Sequence, residues 1–435
     1  MNMRIFKSIF LLIAVVMTAA CCNGTSQIIT VKDGQFVKNG KPYYFIGTNM
    51  WYATILASEG EGGNRERLAR ELDSLKALGI DNLRILVGAD GDSSLPCKVE
   101  PMLQTAPGVY NDTLLRGLDY LLVEMGKRDM QAVLYLNNSW EWSGGYSQYL
   151  TWAGYGKAPI PRIDGYSNFE TFVGNYMKSD TAKNLYFNHL KNIVSRTNTI
   201  TGKPYSEDPA IFSWQIANEP RPFGKENKEL FAQWIAESAS IIKSIDPNHM
   251  VSIGSEGKYG CQVDIQLWKE LGALDQIDYM NIHIWPHTWR WVSKEESEPM
   301  NDIEQGIEYT FKYIDEHLLL AKEVGKPLTL EEFGYPRDGF SFSTESTTAA
   351  RDIYYDNVMK FLISQAQNGG TLGGCNFWAW SGSAKVNHLW WEKGDDYTGD
   401  PAQEEQGLYS VFLSDRSTIE VIKSNIEELH ETLNY

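Results

Sequence analysis

Two glutamates stand at the ends of apolar, strand-like runs, and their residue type and placement suit bond-breaking chemistry. Glu219 closes the run Ile211-Phe212-Ser213-Trp214-Gln215-Ile216-Ala217-Asn218-Glu219. Glu332 lies in Leu328-Thr329-Leu330-Glu331-Glu332-Phe333-Gly334. Two carboxyls converging in one cleft divide into a proton donor and a nucleophile, the minimum equipment for cleaving a glycosidic bond. The donor must keep its proton near neutral pH, although a free Glu titrates near about 4.3. Burial and a second carboxylate nearby both supply that shift. The two glutamates are far apart in sequence, so the fold must bring them together.

Eight apolar runs read as strands: 43–47, 82–87, 131–136, 211–218, 250–255, 279–285, 327–333 and 374–380. Amphipathic stretches lie between them at 65–78, 113–128, 183–196, 228–243, 303–324 and 348–367. In the first, Leu68, Leu72, Leu75 and Leu78 recur at helical spacing. Alternating β and α elements imply a parallel sheet, and eight pairs imply a closed (β/α)8 TIM barrel with extended βα loops. An open doubly wound sheet is the alternative, but no Gly-rich phosphate fingerprint follows the first strand. Asp33-Gly34 and Asn39-Gly40 are turn signals for an N-terminal β-hairpin that plugs one end of the barrel.

Active sites of such barrels lie where strands end and βα loops begin. Asn49, Trp51, Arg84, Asn138, Trp140, Asn218, Glu219, Glu256, His283, Trp285, Glu332, Trp378 and Trp380 fall there. Any one of them also suits plain packing, but together they concentrate polar and aromatic groups on one rim. Side-chain alternation puts Phe212, Trp214 and Ile216 against the helices and Ser213, Gln215, Ala217 and Glu219 inside the barrel. On the seventh run Glu331 and Glu332 fall on opposite faces. Polarity slightly favours Glu331 as the inward residue, and a bulge can aim either one inward.

The chain has 435 residues, 43% hydrophobic and 22% charged, an ordinary globular composition. A formal charge of -17 argues against nucleic acid and anionic membrane as partners and suits a neutral substrate. Fourteen Trp and twenty-three Tyr are many; core packing uses most of them, and the rest suit stacking on sugar rings. Arg4 and Lys7 precede the apolar stretch at 9–17, then Thr18-Ala19-Ala20-Cys21. This is the layout of a cleavable export signal over residues 1–22, leaving 23–435 as one catalytic domain. Cys21 after small residues resembles a bacterial lipoprotein cleavage site, although Thr18 stands where Leu is usual. The expected location is therefore the cell surface or outer membrane through a lipid on Cys21, or the periplasm or medium without it. Cys97, Cys261 and Cys375 show no metal spacing and read as buried thiols.

Trp214-Gln215-Ile216-Ala217-Asn218-Glu219-Pro220-Arg221 resembles the acid/base motif of glycoside hydrolase family 5, and Glu332-Phe333-Gly334 resembles the nucleophile motif of its clan. Several segments narrow the resemblance to β-mannanases. They are Gly47-Thr48-Asn49, Asn137-Asn138-Ser139-Trp140, Gly144-Gly145-Tyr146-Ser147-Gln148-Tyr149, Arg196-Thr197-Asn198-Thr199, and Gly394-Asp395-Asp396-Tyr397-Thr398-Gly399-Asp400-Pro401. The resemblance implies retaining endo-hydrolysis of β-1,4-mannan, with Glu219 as acid/base and Glu332 as nucleophile. Arg84 would hold the nucleophile ionised, Asn218 would bind the sugar 2-hydroxyl, and His283 would line the cleavage point. Trp378 would be the stacking platform, with Trp51, Trp140 and Asn138 as further substrate contacts. Where the family has His-x-Tyr, this chain has His283-Ile284-Trp285, and an indole donates but cannot accept. No metal or cofactor is implied, and the chain is expected to act as a monomer. A β-glucanase of the same mechanism and a non-catalytic polysaccharide-binding lipoprotein are the rival readings. Three features stay open. The acidic loop of Asp395, Asp396, Asp400, Glu404 and Glu405 reads as solvated, as a sugar contact or as a calcium site. Trp289 and Trp291 read equally as platforms or as packing. His283 and His287, with Pro286 between them, do not have the spacing of a helical metal pair.

Overall fold

A computed structural model describes residues 28–92, 96, 98–292 and 299–433. The leader expected at 1–22, the Cys21 site and Cys97 lie outside the described residues. Eight parallel strands form the central sheet: β1 (Phe45–Asn49), β2 (Asn82–Leu86), β3 (Gln131–Tyr135), β4 (Ile211–Gln215), β5 (Met250–Ser252), β6 (Met280–Ile284), β7 (Leu328–Phe333) and β8 (Leu372–Phe377). Their order is β5-β4-β3-β2-β1-β8-β7-β6. The seam between β5 and β6 is stitched by single bonds, from the Asp278 N–H to the Val251 carbonyl and from the Gly254 N–H to Asn281 Oδ1. The result is the (β/α)8 barrel expected from the alternation of elements.

Helices follow the strands in turn: α1 (Arg65–Leu78), α2 (Asp112–Lys127), α3 (Asp180–Val194), α4 (Lys228–Ile245), α5 (Ile265–Gly272), α6 (Ile303–Val324), α7 (Ala349–Gln367) and α8 (Arg416–Leu433). The first shows why these stretches are helical. Asn64 caps it by accepting the Arg67 N–H at 2.9 Å, and Gly79 ends it at φ 87°. Leu68, Leu72 and Leu75 are fully buried on its inner face. Ser179 and Asp264 cap α3 and α5 in the same way, which starts α3 earlier than its apolar pattern suggests.

The N-terminal segment forms a small antiparallel sheet of three strands, 30–32, 35–38 and 41–42, turned at Asp33-Gly34 and Asn39-Gly40. All four turn residues have positive φ, as tight hairpin turns of this hand require. Its Phe36 fills the barrel floor, 5.1 Å from the Phe212 ring and 5.3 Å from the Tyr279 ring. The plug expected from the sequence is therefore present.

Phe212 departs from simple alternation. A bulge between Ile211 and Ser213 shifts the β3–β4 register, and Phe212 packs inward with Phe36, Phe45 and Tyr279 rather than against the helices. Above that aromatic floor the interior turns polar. Ser213, Gln215, Asn281, Arg84 and Glu331 occupy the middle layer, all at 1% exposure or less. Trp214 points outward as expected and donates to Asp246 at the end of α4. Cys261 and Cys375 are buried free thiols.

Candidate active site

Glu219 sits just beyond β4 with φ 48°, a left-handed conformation that is strained for a residue with a side chain. Its backbone is held on both sides. Its N–H donates to the Gly254 carbonyl at 2.9 Å, and Ser139 Oγ donates to its carbonyl at 2.5 Å. Its Oε2 accepts from Trp140 Nε1 at 2.6 Å, and its Oε1 shares a hydrogen bond with His283 Nδ1 at 2.9 Å.

Glu332 reaches the same place from β7. A register shift in the β6–β7 ladder, between the Ile282–Leu330 and His283–Glu332 pairs, allows Glu331 and Glu332 both to point inward. Glu332 lines the cleft. Glu331 lies beneath it, accepting from Tyr279 at 2.9 Å, Gln215 at 2.6 Å and Asn281 at 2.5 Å. The alternation conflict in the sequence thus arises from a bulge, and the two neighbours occupy different layers.

Arg84 on β2 is fully buried and makes four bonds. It donates to Glu332 Oε1 at 2.5 Å, Asn218 Oδ1 at 2.8 Å, Gln215 Oε1 at 2.8 Å and Asn49 Oδ1 at 3.1 Å. Tyr135 lies under the guanidinium at 4.5 Å. Trp285 Nε1 donates to Glu332 Oε2 at 3.3 Å. The indole at this position therefore serves as a donor to the carboxylate.

Burial pushes both Glu219 and Glu332 upward, and the charge of Glu219 adds to the effect on Glu332. The pair therefore binds one proton readily and titrates as a unit. The two carboxyls differ in their partners. Glu332 bonds a guanidinium at 2.5 Å, whereas Glu219 bonds an indole and an imidazole and is influenced by Arg221 without a direct ion pair. Burial, Arg84 and Arg221 push His283 well below its usual value, so that imidazole is neutral. This asymmetry is the kind that separates a proton donor from an ionised partner.

Glu219, His283 and Glu332 each offer one ligand-type atom within 4.8 Å of the others. The carboxylates already face Arg84, Trp140 and Trp285, and a cation would sit beside a buried guanidinium. This donor set suits acid/base chemistry better than metal binding.

A cavity of about 520 Å³ surrounds the pair. Of the strand-end residues singled out by sequence, Asn218, Glu219, Trp140, Glu256, Trp285, Glu332 and Trp378 line it, Glu256 without an expected role. Arg84 and His283 lie behind the wall and contact the carboxyls. Two expectations are corrected. Trp51 is buried among Tyr52, Trp142 and Tyr397, with its N–H on the Gly399 carbonyl. It ties the loop after β1 to the loop after β8 and does not face the cleft. Asn138 is fully buried, bonding the Trp140 N–H, Asn218 Nδ2 and Ser143 Oγ. It braces two wall residues from behind and is not part of the cavity lining.

The cavity wall also contains residues that the sequence left unassigned. Glu256 pairs with Arg221 through two bonds of 2.5 and 2.6 Å, and the guanidinium lies 4.9 Å over the Trp140 ring. Thr288, Arg290, Gln403 and Tyr409 arrive on loops with no periodicity to mark them, and Tyr166 opens a short helix, Tyr166–Val173. Trp289 joins the wall, whereas Trp291 packs on Tyr259 and Tyr313. The acidic loop divides likewise. Asp400 is buried, accepting the N–H groups of Gly407, Tyr409 and Ser410, while Glu404 faces the cavity with its carboxyl pushed up to about 8 by burial and by Asp400. His287 packs against Tyr335 and Phe340.

A (β/α)8 barrel holding two buried carboxyls, one paired with an arginine, at the carboxyl ends of its strands defines a glycoside hydrolase. Residues 26–434 match the family model described as GH family 5 beta-mannosidase-like, and the chain belongs to glycoside hydrolase family 5. Putative mannan endo-1,4-beta-mannosidase 9 of Oryza sativa subsp. japonica is 30% identical over 384 residues, 84% of this chain and 86% of the relative. Mannan endo-1,4-beta-mannosidase 1 of Arabidopsis thaliana is 30% identical over 379 residues, 82% of this chain and 84% of the relative. Among solved structures, a glycoside hydrolase family 5 mannosidase from Rhizomucor miehei superposes with TM-score 0.85 at 30% identity, covering 94% of this chain and 98% of that one.

Proposed function

We propose that this chain is a retaining endo-β-1,4-mannanase acting on mannan, glucomannan or galactomannan. The observation that carries the reading is the unequal setting of the two carboxyls, Glu332 on Arg84 at 2.5 Å and Glu219 on neutral donors. The names of the curated relatives supply the substrate class.

Glu219 protonates the glycosidic oxygen as the bond breaks, and ionised Glu332 attacks the anomeric carbon. A glycosyl–Glu332 ester forms and the shortened chain leaves with the proton. Glu219, now a carboxylate, takes a proton from water, and the resulting hydroxide displaces Glu332. Two inversions give net retention. An oxygen of each carboxyl lies within 4.8 Å of the other's, which favours the retaining spacing of about 5–5.5 Å over the inverting spacing of roughly 6.5–9.5 Å. Asn218, oriented by Arg84 and Asn138, faces the cavity and is suited to the 2-hydroxyl. Trp378, with Trp285 edge-on at 6.0 Å, offers the stacking face. The leader over residues 1–22 would direct export, and a lipid on Cys21 would hold the enzyme to a membrane. Fractionation of a Cys21→Ser variant tests this, and unchanged membrane association would refute the anchor.

Product profiling on linear mannan, glucomannan and cellulose tests the function. Long-lived intermediate manno-oligomers are expected. Release of one short product alone would show chain-end action, and preferential cleavage of cellulose would show a glucanase.

A further inference from the structure

Glu331 is a buried carboxyl that the proposed mechanism does not use, and its surroundings are unusually complete. Its side chain has no solvent exposure. Oε2 accepts from the amides of Gln215 and Asn281, and Oε1 accepts from the Tyr279 hydroxyl. Gln215 cannot turn its amide over. Its oxygen receives Arg84 Nε at 2.8 Å, which leaves its NH2 for Glu331 and for Ser252 at 3.1 Å. An arginine can only donate, so this orientation is enforced. Burial pushes this carboxyl up, and Arg84 Nε at 3.9 Å together with the three donors aimed at it pulls against that push and favours the ionised form.

Arg84 therefore lies between two carboxylates in two layers, Glu332 above at the cleft and Glu331 below. From this arrangement we infer that Glu331 is a positioning residue and buried counter-charge, which orients Arg84 and offsets its positive field on the Glu219–Glu332 pair. The inference rests on the roles proposed for those two glutamates. The groups facing Glu331 are Arg84 from β2, Gln215 from β4, Ser252 from β5, and Tyr279 and Asn281 at β6. Glu332 adjoins it on β7, and Asn49 of β1 donates to its backbone carbonyl at 2.8 Å. Of these only Arg84, Glu332 and Tyr279 titrate, and Arg84 is the only cation. Removing the negative charge at 331 leaves the guanidinium less balanced. Protonation of Glu332 and of Glu219 then becomes less favourable, and both fall. Since the acid limb follows Glu332 and the basic limb follows Glu219, the whole activity bell moves to lower pH.

The test is the pH profile of kcat/KM for Glu331→Gln, Glu331→Asp and Glu332→Gln, with far-UV circular dichroism to verify folding. Glu331→Gln is isosteric, and its NH2 can face the Tyr279 oxygen. Both limbs are expected to move down by on the order of one pH unit. Glu331→Asp keeps the charge and is expected to lose rate with its limbs in place. Limbs unmoved in Glu331→Gln, with Glu332→Gln inactive, would overturn the counter-charge role and leave the mechanism standing. An inactive Glu331→Gln beside an active Glu332→Gln would instead overturn the nucleophile assignment. Should Glu331→Gln fail to fold, the swap Glu331→Gln/Asn281→Asp moves the charge across one 2.5 Å hydrogen bond. Recovery of wild-type limbs supports the inference, and a folded swap with displaced limbs overturns it.

Discussion

Trp140 Nε1 donates to Oε2 of Glu219 at 2.6 Å, and Arg221 lies over the face of the same indole. The bond favours the ionised form of Glu219, while burial favours the protonated form. Trp140→Phe keeps most of the ring and deletes the donor. Loss of a hydrogen bond to a charged group amounts to about 1.5 kcal/mol or more, on the order of one pKa unit. The proton donor then holds its proton to higher pH, so the basic limb of kcat/KM rises by that amount. A basic limb that stays put would show that Trp140 does not tune Glu219.

Trp285 stands opposite, on Glu332. Its donor also favours the ionised carboxylate, through a longer bond of 3.3 Å. Trp285→Phe should raise the acid limb by about half a pH unit, and Trp285→Tyr should restore most of the difference through the phenol O–H. Acid-limb titrations of the two variants measured together decide the matter.

Arg84→Ala removes the cation between Glu331 and Glu332. Breaking a buried pair costs roughly 3–5 kcal/mol because a charge is left uncompensated. Activity should fall by about 10²–10³ or more, as for loss of a principal electrostatic group. Denaturant unfolding and kcat, measured in parallel, separate the two effects.

The two glutamates, the barrel and the plug were legible because strand ends and turn residues leave local marks. The site's finer order was not, because it depends on two bulges. One turns Phe212 into the floor, and the other lets Glu331 and Glu332 share the interior. The first leaves no mark in alternation, and the second shows only as the conflict at Glu331-Glu332, which does not say which carboxyl reaches the cleft. Trp51 occupies a strand end yet is consumed by packing, since position at the rim does not fix which way a loop folds over it. Thr288, Gln403 and Tyr409 reach the cleft on irregular loops, where residue type alone marks nothing.

Away from the cleft, Asp246 ties β4 to the end of α4. It accepts from Trp214, from the His249 ring and from two backbone N–H groups, and the His249 ring and its neighbouring donors hold its carboxyl down at about 2 despite burial. Its folded value lies below the unfolded one near about 3.9, so its contribution is full above pH ~5 and is lost as pH falls toward 2. That contribution is about 2–3 kcal/mol. Asp246→Asn should therefore be less stable than wild type at pH 7, and the gap should narrow below pH ~4 in thermal denaturation.

The central claim is that Glu332, and not its neighbour, forms the covalent link to sugar. A 2-deoxy-2-fluoro-mannoside with a good leaving group slows the second displacement and lets the ester accumulate. Peptide mass spectrometry of the inactivated enzyme should find one fluoromannosyl group, on Glu332. A label on Glu331, or turnover with no label and inverted product, would contradict the account.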